Sequence, residues 1–137
     1  MKNVLKPILL IASLTCLTGP VVAEPPAATE LLSKYSQSIS APFNIATGKR
    51  MWLSQHTIKS HREPRSCSSC HGDDLTSPGK HIKTGKVIEP ISFLTNAERF
   101  TDSKKIEKWF RRNCKWTWGR ECTPTEKGNL LVFLLSQ

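Results

Sequence analysis

No apolar stretch in this 137-residue chain is long enough to cross a bilayer as a helix. Its main apolar run, residues 8–17, falls well short of the roughly 20 residues that a span requires. Acidic residues are scarce, 11 Asp and Glu against 20 Lys and Arg. The resulting net charge of +9 points to acidic partners or an anionic surface rather than to cationic ones. Internal repeats and low-complexity tracts are missing, which excludes a solenoid or a disordered array. No segment of useful length alternates polar and apolar residues, so a β domain is excluded too. Methionine is limited to Met1 and Met51, and none follows position 51.

The first 23 residues read as a secretory signal. Lys2 and Lys6 supply the charged start, residues 8–17 the apolar centre, and Val21-Val22-Ala23 a cleavage site. Cleavage after Ala23 discards Cys16; an uncleaved anchor or lipidation at Cys16 are the alternatives. The exported chain, residues 24–137, has 18 basic residues against 11 acidic ones, net +7. It is one small domain, with a periplasmic location. Export also argues against a nucleic-acid partner, although residues 111–120 interleave Arg, Lys and Trp. A solvated helix face is the plainer reading of that stretch.

Residues 24–42 form an N-terminal leader segment, Pro/Ala-rich at 24–28, with a short helix expected over 29–39. Residues 43–137 form the main domain. A second helix is expected over 43–55, weakened by Gly48. Residues 72–90 make a long loop punctuated by Pro78, Gly79, Gly85 and Pro90, of a kind usually held by something else. Thr95-Asn96-Ala97-Glu98 is a capping-box pattern for a short helix. Thr101 or Asp102 caps a helix running to about Cys114. Thr123-Pro124-Thr125-Glu126 offers a cap, a first-turn proline and a glutamate three residues on. The helix after it carries Leu130, Leu131, Phe133, Leu134 and Leu135 and must be largely buried.

Residues 67–71 read Cys-Ser-Ser-Cys-His, the attachment motif for a c-type haem. Two thiols at this spacing share one helical turn and can form thioethers to the two vinyl groups of one porphyrin. His71 then follows as the proximal iron ligand. A thioredoxin-like redox pair would need a βαβ setting, and a zinc site a second close pair of ligands. Neither is visible. The fold class expected is all-α, resembling a class I cytochrome c, with about four to five helices around one covalent haem c and a long loop after the motif.

The missing methionine decides what to ask next. Common electron-transfer cytochromes c place a methionine sulfur opposite the histidine, C-terminal to the motif. None exists here. Met51 lies upstream on an apolar face and is better explained by packing. His56 and His61 flank a polar stretch, and His81 lies in the long loop, from where it can reach the iron. At about 100° per residue, Ile106, Trp109, Phe110 and Asn113 fall in one narrow sector of the 102–114 helix. Lys104, Lys105, Lys108, Arg111 and Arg112 fall on the other side. Asn113 is thus a carboxamide within an apolar face, and burying an unpaired amide costs on the order of 2–7 kcal/mol. A backbone carbonyl, a helix cap or iron would each satisfy it; the pattern alone leaves all three open. Cys114 and Cys122 are the even pair left once the haem takes Cys67 and Cys70, and form a disulfide in an oxidising compartment.

Further matches then become specific. Trp109-Phe110-Arg111-Arg112-Asn113-Cys114, Gly119-Arg120-Glu121-Cys122 and Glu126-Lys127-Gly128 resemble the sphaeroides haem protein (SHP) family of high-spin monohaem cytochromes c. Gly79-Lys80-His81, Thr84-Gly85-Lys86, Ile88-Glu89-Pro90 and Arg99-Phe100-Thr101-Asp102 resemble its loop. Segment 92–96 departs from that pattern. The resemblance implies that Asn113 is the distal ligand and leaves on reduction, opening ferrous iron to O2, NO or CO. It also implies electron delivery by a dihaem cytochrome c and a membrane cytochrome b. An ordinary low-spin electron carrier and an oxygen- or nitric oxide-converting haem enzyme are the competing functions. No catalytic residue is assigned, since no distal acid–base pair is visible; Arg111 or Arg112 can stabilise bound oxygen.

Overall fold

Side-chain caps set most of the helix boundaries in the computed structural model, which describes residues 24–61 and 63–137. The secretory-signal reading of residues 1–23, including Cys16 and cleavage after Ala23, lies outside the described residues. Helix α1 spans Pro26–Ser36. It begins earlier than expected because Pro26 takes the first helical turn, where a missing N–H costs nothing. The supposedly loose residues 24–28 are therefore mostly helix, and Ala27, Ala28, Leu31 and Tyr35 are buried in the core. Helix α2 spans Ile45–Leu53, capped by Asn44, whose side chain accepts from the Thr47 N–H at 2.8 Å. Helix α3 is the single turn Ser68–His71.

Helix α4 spans Ser103–Trp118. Asp102, not Thr101, caps it by accepting from the Lys105 N–H at 3.0 Å. It runs a turn beyond the expected end at Cys114. It stops at Gly119, which adopts a left-handed φ of 71° suited to residues without a Cβ. Helix α5 spans Pro124–Leu135 and starts with the full capping box of Thr123 and Glu126. The capping box expected at Thr95–Glu98 does not form. The Thr95 hydroxyl turns back to the Ser92 carbonyl at 3.3 Å, and only a 3-10 turn, Ala97–Phe100, follows.

The architecture is all-α, with one unexpected addition. Within the long loop, β1 (Gly79–Lys80) pairs antiparallel with β2 (Val87–Ile88). The base of the loop is tied down where the Ile91 and Ser92 N–H groups both donate to the Leu75 carbonyl, at 3.1 and 2.9 Å. Ser92 in turn donates to the Gln137 carbonyl at 2.6 Å, fixing the chain end. No helix among the described residues is long and apolar enough to cross a membrane.

The core forms where α2 crosses α5, with α1 and α4 packed around that pair. At the crossing the backbones almost touch. A Cβ on Gly48 would lie 2.0 Å from the Asn129 carbonyl oxygen and 2.7 Å from the Phe133 Cβ. The ring of Phe43 occupies the space that a Cβ on Gly128 would fill. Buried Asn129 closes the joint by accepting from the Asn44 N–H at 2.7 Å. Gly48 is thus not a weak point in α2 but the reason that α2 can sit where it does.

Helix propensity alone predicts that Gly48→Ala stabilises the protein by about 1 kcal/mol. The crossing reverses the sign. Gly48→Ala is expected to cost about 1–3 kcal/mol through overpacking against main-chain atoms that cannot turn away. Urea unfolding followed by far-UV circular dichroism measures this, and an unchanged or raised midpoint would disprove the close crossing.

Candidate functional site

The Cys-Ser-Ser-Cys-His segment folds as a tight turn whose entry is built from serines. Buried Ser66 donates its N–H to Ser69 Oγ at 3.0 Å, while the Ser69 N–H donates to Ser66 Oγ at 3.2 Å. The Cys70 and His71 N–H groups then both reach the Cys67 carbonyl, at 3.3 and 3.2 Å. This puts Cys67 and Cys70 three residues apart on one helical face. Neither is in a disulfide. Burial pushes the Cys67 thiol up to about 12.

His71 follows directly. Its ring lies 5.4 Å from that of Trp52 on α2, and the Trp52 indole N–H donates to the Gly72 carbonyl at 3.1 Å. Burial, reinforced by the charge of Arg99, lowers the imidazole pKa to about 4. The side chain is therefore neutral at ordinary pH, the form that binds a metal. On the other side of the turn, Gly79 brings β1 against the motif. A Cβ there would sit 2.2 Å from the Cys70 carbonyl oxygen. The loop is thus seated on the motif by direct main-chain approach.

Helix α4 corrects one expectation. Its buried face consists of Ile106, Phe110, Cys114 and Thr117. Trp109, expected within that face, is 49 % exposed. Trp109, Asn113 and Trp116 instead form a flanking stripe, turned from the protein core by a fraction of a turn. Asn113 is half-buried, and its carboxamide makes no hydrogen bond among the described residues. The helix cap is Gly119, so the capping role considered for Asn113 is taken. One residue on, Cys114 is bonded to Cys122 as expected.

The other histidines are engaged elsewhere. His56 hydrogen-bonds Ser54 Oγ at 2.8 Å and packs on Trp118 at 5.2 Å. His61 donates from Nε2 to the Trp116 carbonyl at 2.7 Å. His81 packs on Trp116 at 5.4 Å, and its Nδ1 accepts from the Thr84 N–H at 3.1 Å. Met51 is half-buried and packs against the core.

These residues suit a covalent haem. They supply two thiols outside any disulfide one turn apart, a half-buried neutral imidazole next to them, and a helix stripe with exposed Trp109 and a carboxamide that has no hydrogen-bond partner among the described residues. Trp52, Gly79 and Trp116 matter to this arrangement and were missed in the sequence. Gly79 stood out only as turn chemistry after Pro78 and within the Gly79-Lys80-His81 match, neither of which reveals its contact with the motif. The tryptophans reveal their partners only in three dimensions.

Comparison with known proteins places the chain among c-type cytochromes. A family model described as "Domain of unknown function (DUF1924)" matches residues 38–134. Cytochrome c-type protein SHP of Cereibacter sphaeroides is 40% identical over 121 residues, covering 88% of this chain and 92% of that protein. Cytochrome c'' of Methylophilus methylotrophus is 36% identical over 94 residues, covering 69% and 65% respectively. Among solved structures, oxidized SHP, an oxygen binding cytochrome c, superposes with a TM-score of 0.74 at 40% identity, covering 80% of this chain and 96% of that one. Oxidized cytochrome c'' gives 0.71 at 32% identity, covering 81% and 94%.

The disulfide closes a loop with a sequence separation of 8 and anchors the end of α4 beside Asn113. In the chain-entropy account such a loop contributes roughly 2–3 kcal/mol. A Cys114→Ser/Cys122→Ser double variant should lose about that much in urea unfolding. Alkylation of the native protein without reductant should add no label at either cysteine, and uptake of two alkyl groups there would show the bridge to be absent.

Proposed function

The chain belongs to the SHP family of c-type cytochromes, and we propose that it is a periplasmic high-spin monohaem carrier whose sixth iron position opens on reduction. The prosthetic group is one haem c. It supplies a one-electron redox centre and, where its sixth position is free, a site for O2, NO or CO. In this reading residues 1–23 are removed after export, and residues 24–42 carry α1 onto a cytochrome domain of residues 43–137.

Cys67 and Cys70 hold the group by thioether bonds. His71 ligates the iron through its neutral ring, oriented by Trp52. Asn113 would offer its carboxamide oxygen to the iron as the second protein ligand. That oxygen is a hard, weak-field donor. It favours ferric iron and gives way when the metal loses charge, whereas methionine sulfur favours the ferrous form. The observation that carries this reading is the carboxamide of Asn113, which has no hydrogen-bond partner among the described residues, beside exposed Trp109, in a chain with no methionine after position 51. Electrons arrive from an acidic donor drawn by the positive charge of the protein. By resemblance that donor is a dihaem cytochrome c, served by a membrane cytochrome b.

Mass spectrometry of the purified protein should show one covalent haem per chain, dependent on Cys67, Cys70 and His71. Asn113→Ala should keep the haem and change the ferric spectrum to that of a water-bound or five-coordinate iron. Ferrous wild type and Asn113→Ala should bind CO at similar rates, because the ligand has already left. A ferrous wild type that is low-spin and ignores CO would replace the gas-binding reading with a plain electron carrier.

A further inference from the structure

Two arginines near the Cys-Ser-Ser-Cys-His turn carry buried donors with nothing to donate to. Nε and Nη1 of Arg65 are buried without a hydrogen-bond partner, and so is Nε of Arg99. Among the described residues neither guanidinium pairs with a carboxylate. Arg99 spends only Nη2, on the Glu89 carbonyl at 3.1 Å. A guanidinium cannot shed its proton to escape this cost, so a buried one calls for an anion. Its planar fork matches a carboxylate specifically. Haem c brings two carboxylates and thus the right number of anions.

Both arginines are placed firmly. The main chain of Arg65 pairs with that of His56, N–H to carbonyl in both directions at 2.8 and 3.0 Å. Its guanidinium lies over Trp116, 4.3 Å from the ring centroid. Trp116 is three residues beyond Asn113 on α4, in the same flanking stripe. Arg99 sits in the 3-10 turn Ala97–Phe100, and its Nη2 donates to the carbonyl of Glu89, which directly follows β2, the partner of the β1 strand seated on Cys70.

We infer that Arg65 and Arg99 each hold one acid side chain of the haem, and that Arg65, through Trp116, ties its carboxylate to the helix that carries Asn113. This rests on the haem reading above. A haem-free wild type would end that reading, whereas the present one is tested only on haem-loaded protein.

Arg65→Gln and Arg99→Gln are each expected to lower the midpoint potential, because a nearby cation favours the less positive ferrous centre. The oxidised-to-reduced ratio at a fixed poise should rise by about tenfold, which is 59 mV for one electron. In resonance Raman spectra each variant should alter the propionate-bending bands. Arg65→Gln should also change the ferric ligation spectrum, since Arg65 stacks on Trp116 of the helix that carries Asn113. Arg65→Lys and Arg99→Lys retain charge but not the fork, and should restore the potential without restoring the bands. The wild type alone gives an independent check. Its propionate bands should hold still from about pH 4 to pH 8, the range that includes the ordinary carboxylate value, because both carboxylates stay ionised beside arginine. Unmoved potentials and bands in haem-loaded Gln variants would overturn the assignment, as would wild-type bands that titrate like free carboxylates. Identical ferric spectra for Arg65→Gln and wild type would overturn the link to Asn113.

Discussion

The close crossing of α2 and α5 is the constraint on which the rest of the structure depends. Gly48 lets the α2 backbone rest on the Asn129 carbonyl, and Gly128 lets Phe43 rest on α5. Any side chain at either place would push the helices apart. Because α2 lies so low on α5, Trp52 at its far end is buried, packing on Phe133 of α5 at 6.1 Å and on His71 at 5.4 Å. The orientation of the imidazole is therefore inherited from a glycine contact that lies well outside the motif. The chemistry needs a neutral, fixed histidine, and burial under Trp52 supplies both properties together.

Much of this was legible wherever a local rule decides the outcome. The Cys-Ser-Ser-Cys-His spacing, the Asp102 cap, the Thr123 capping box and the Cys114–Cys122 pair all depend on residues within a few positions of one another. Long-range geometry was not legible. Gly48 reads as a weak helix residue until α5 is known to lie on it. Thr95 and Glu98 have the right spacing for a capping box, but Ser92 offers the Thr95 hydroxyl a nearer acceptor. Trp109 looked like core because a helical wheel assigns apolar residues to one face. A helix that serves two environments has two such faces, and the wheel merges them.

Those two faces explain how α4 is held. One side packs Ile106 and Phe110 into the protein, while on the flanking stripe Trp109 is exposed and the Asn113 carboxamide has no hydrogen-bond partner among the described residues. A helix that gives up part of its packing surface needs other anchors. At its C-terminal end the anchor is covalent, through Cys114 and Cys122. Near its start the anchor is electrostatic: Glu107 accepts from Lys127 of α5 at 2.6 Å and pairs with Lys34 of α1 at 3.6 Å. Burial works against the Glu107 carboxylate, but the hydrogen bond and charge of Lys127 hold its pKa below the ordinary value.

The anchors also bear on what the helix can do. Asn113 lies directly before Cys114, so if, as proposed, it ligates the iron and detaches on reduction, that step cannot rely on α4 drifting as a whole. The motion available is a rotation of the Asn113 side chain, or a slight turn of the helix about its anchored end. Either is small and reversible. It requires that the carboxamide have no competing hydrogen bond in the protein to trap it off the iron, and among the described residues it has none. A weak donor on a firmly held helix can thus respond to the charge of the metal alone. The same residue on a loosely held helix would be lost from the iron in both oxidation states.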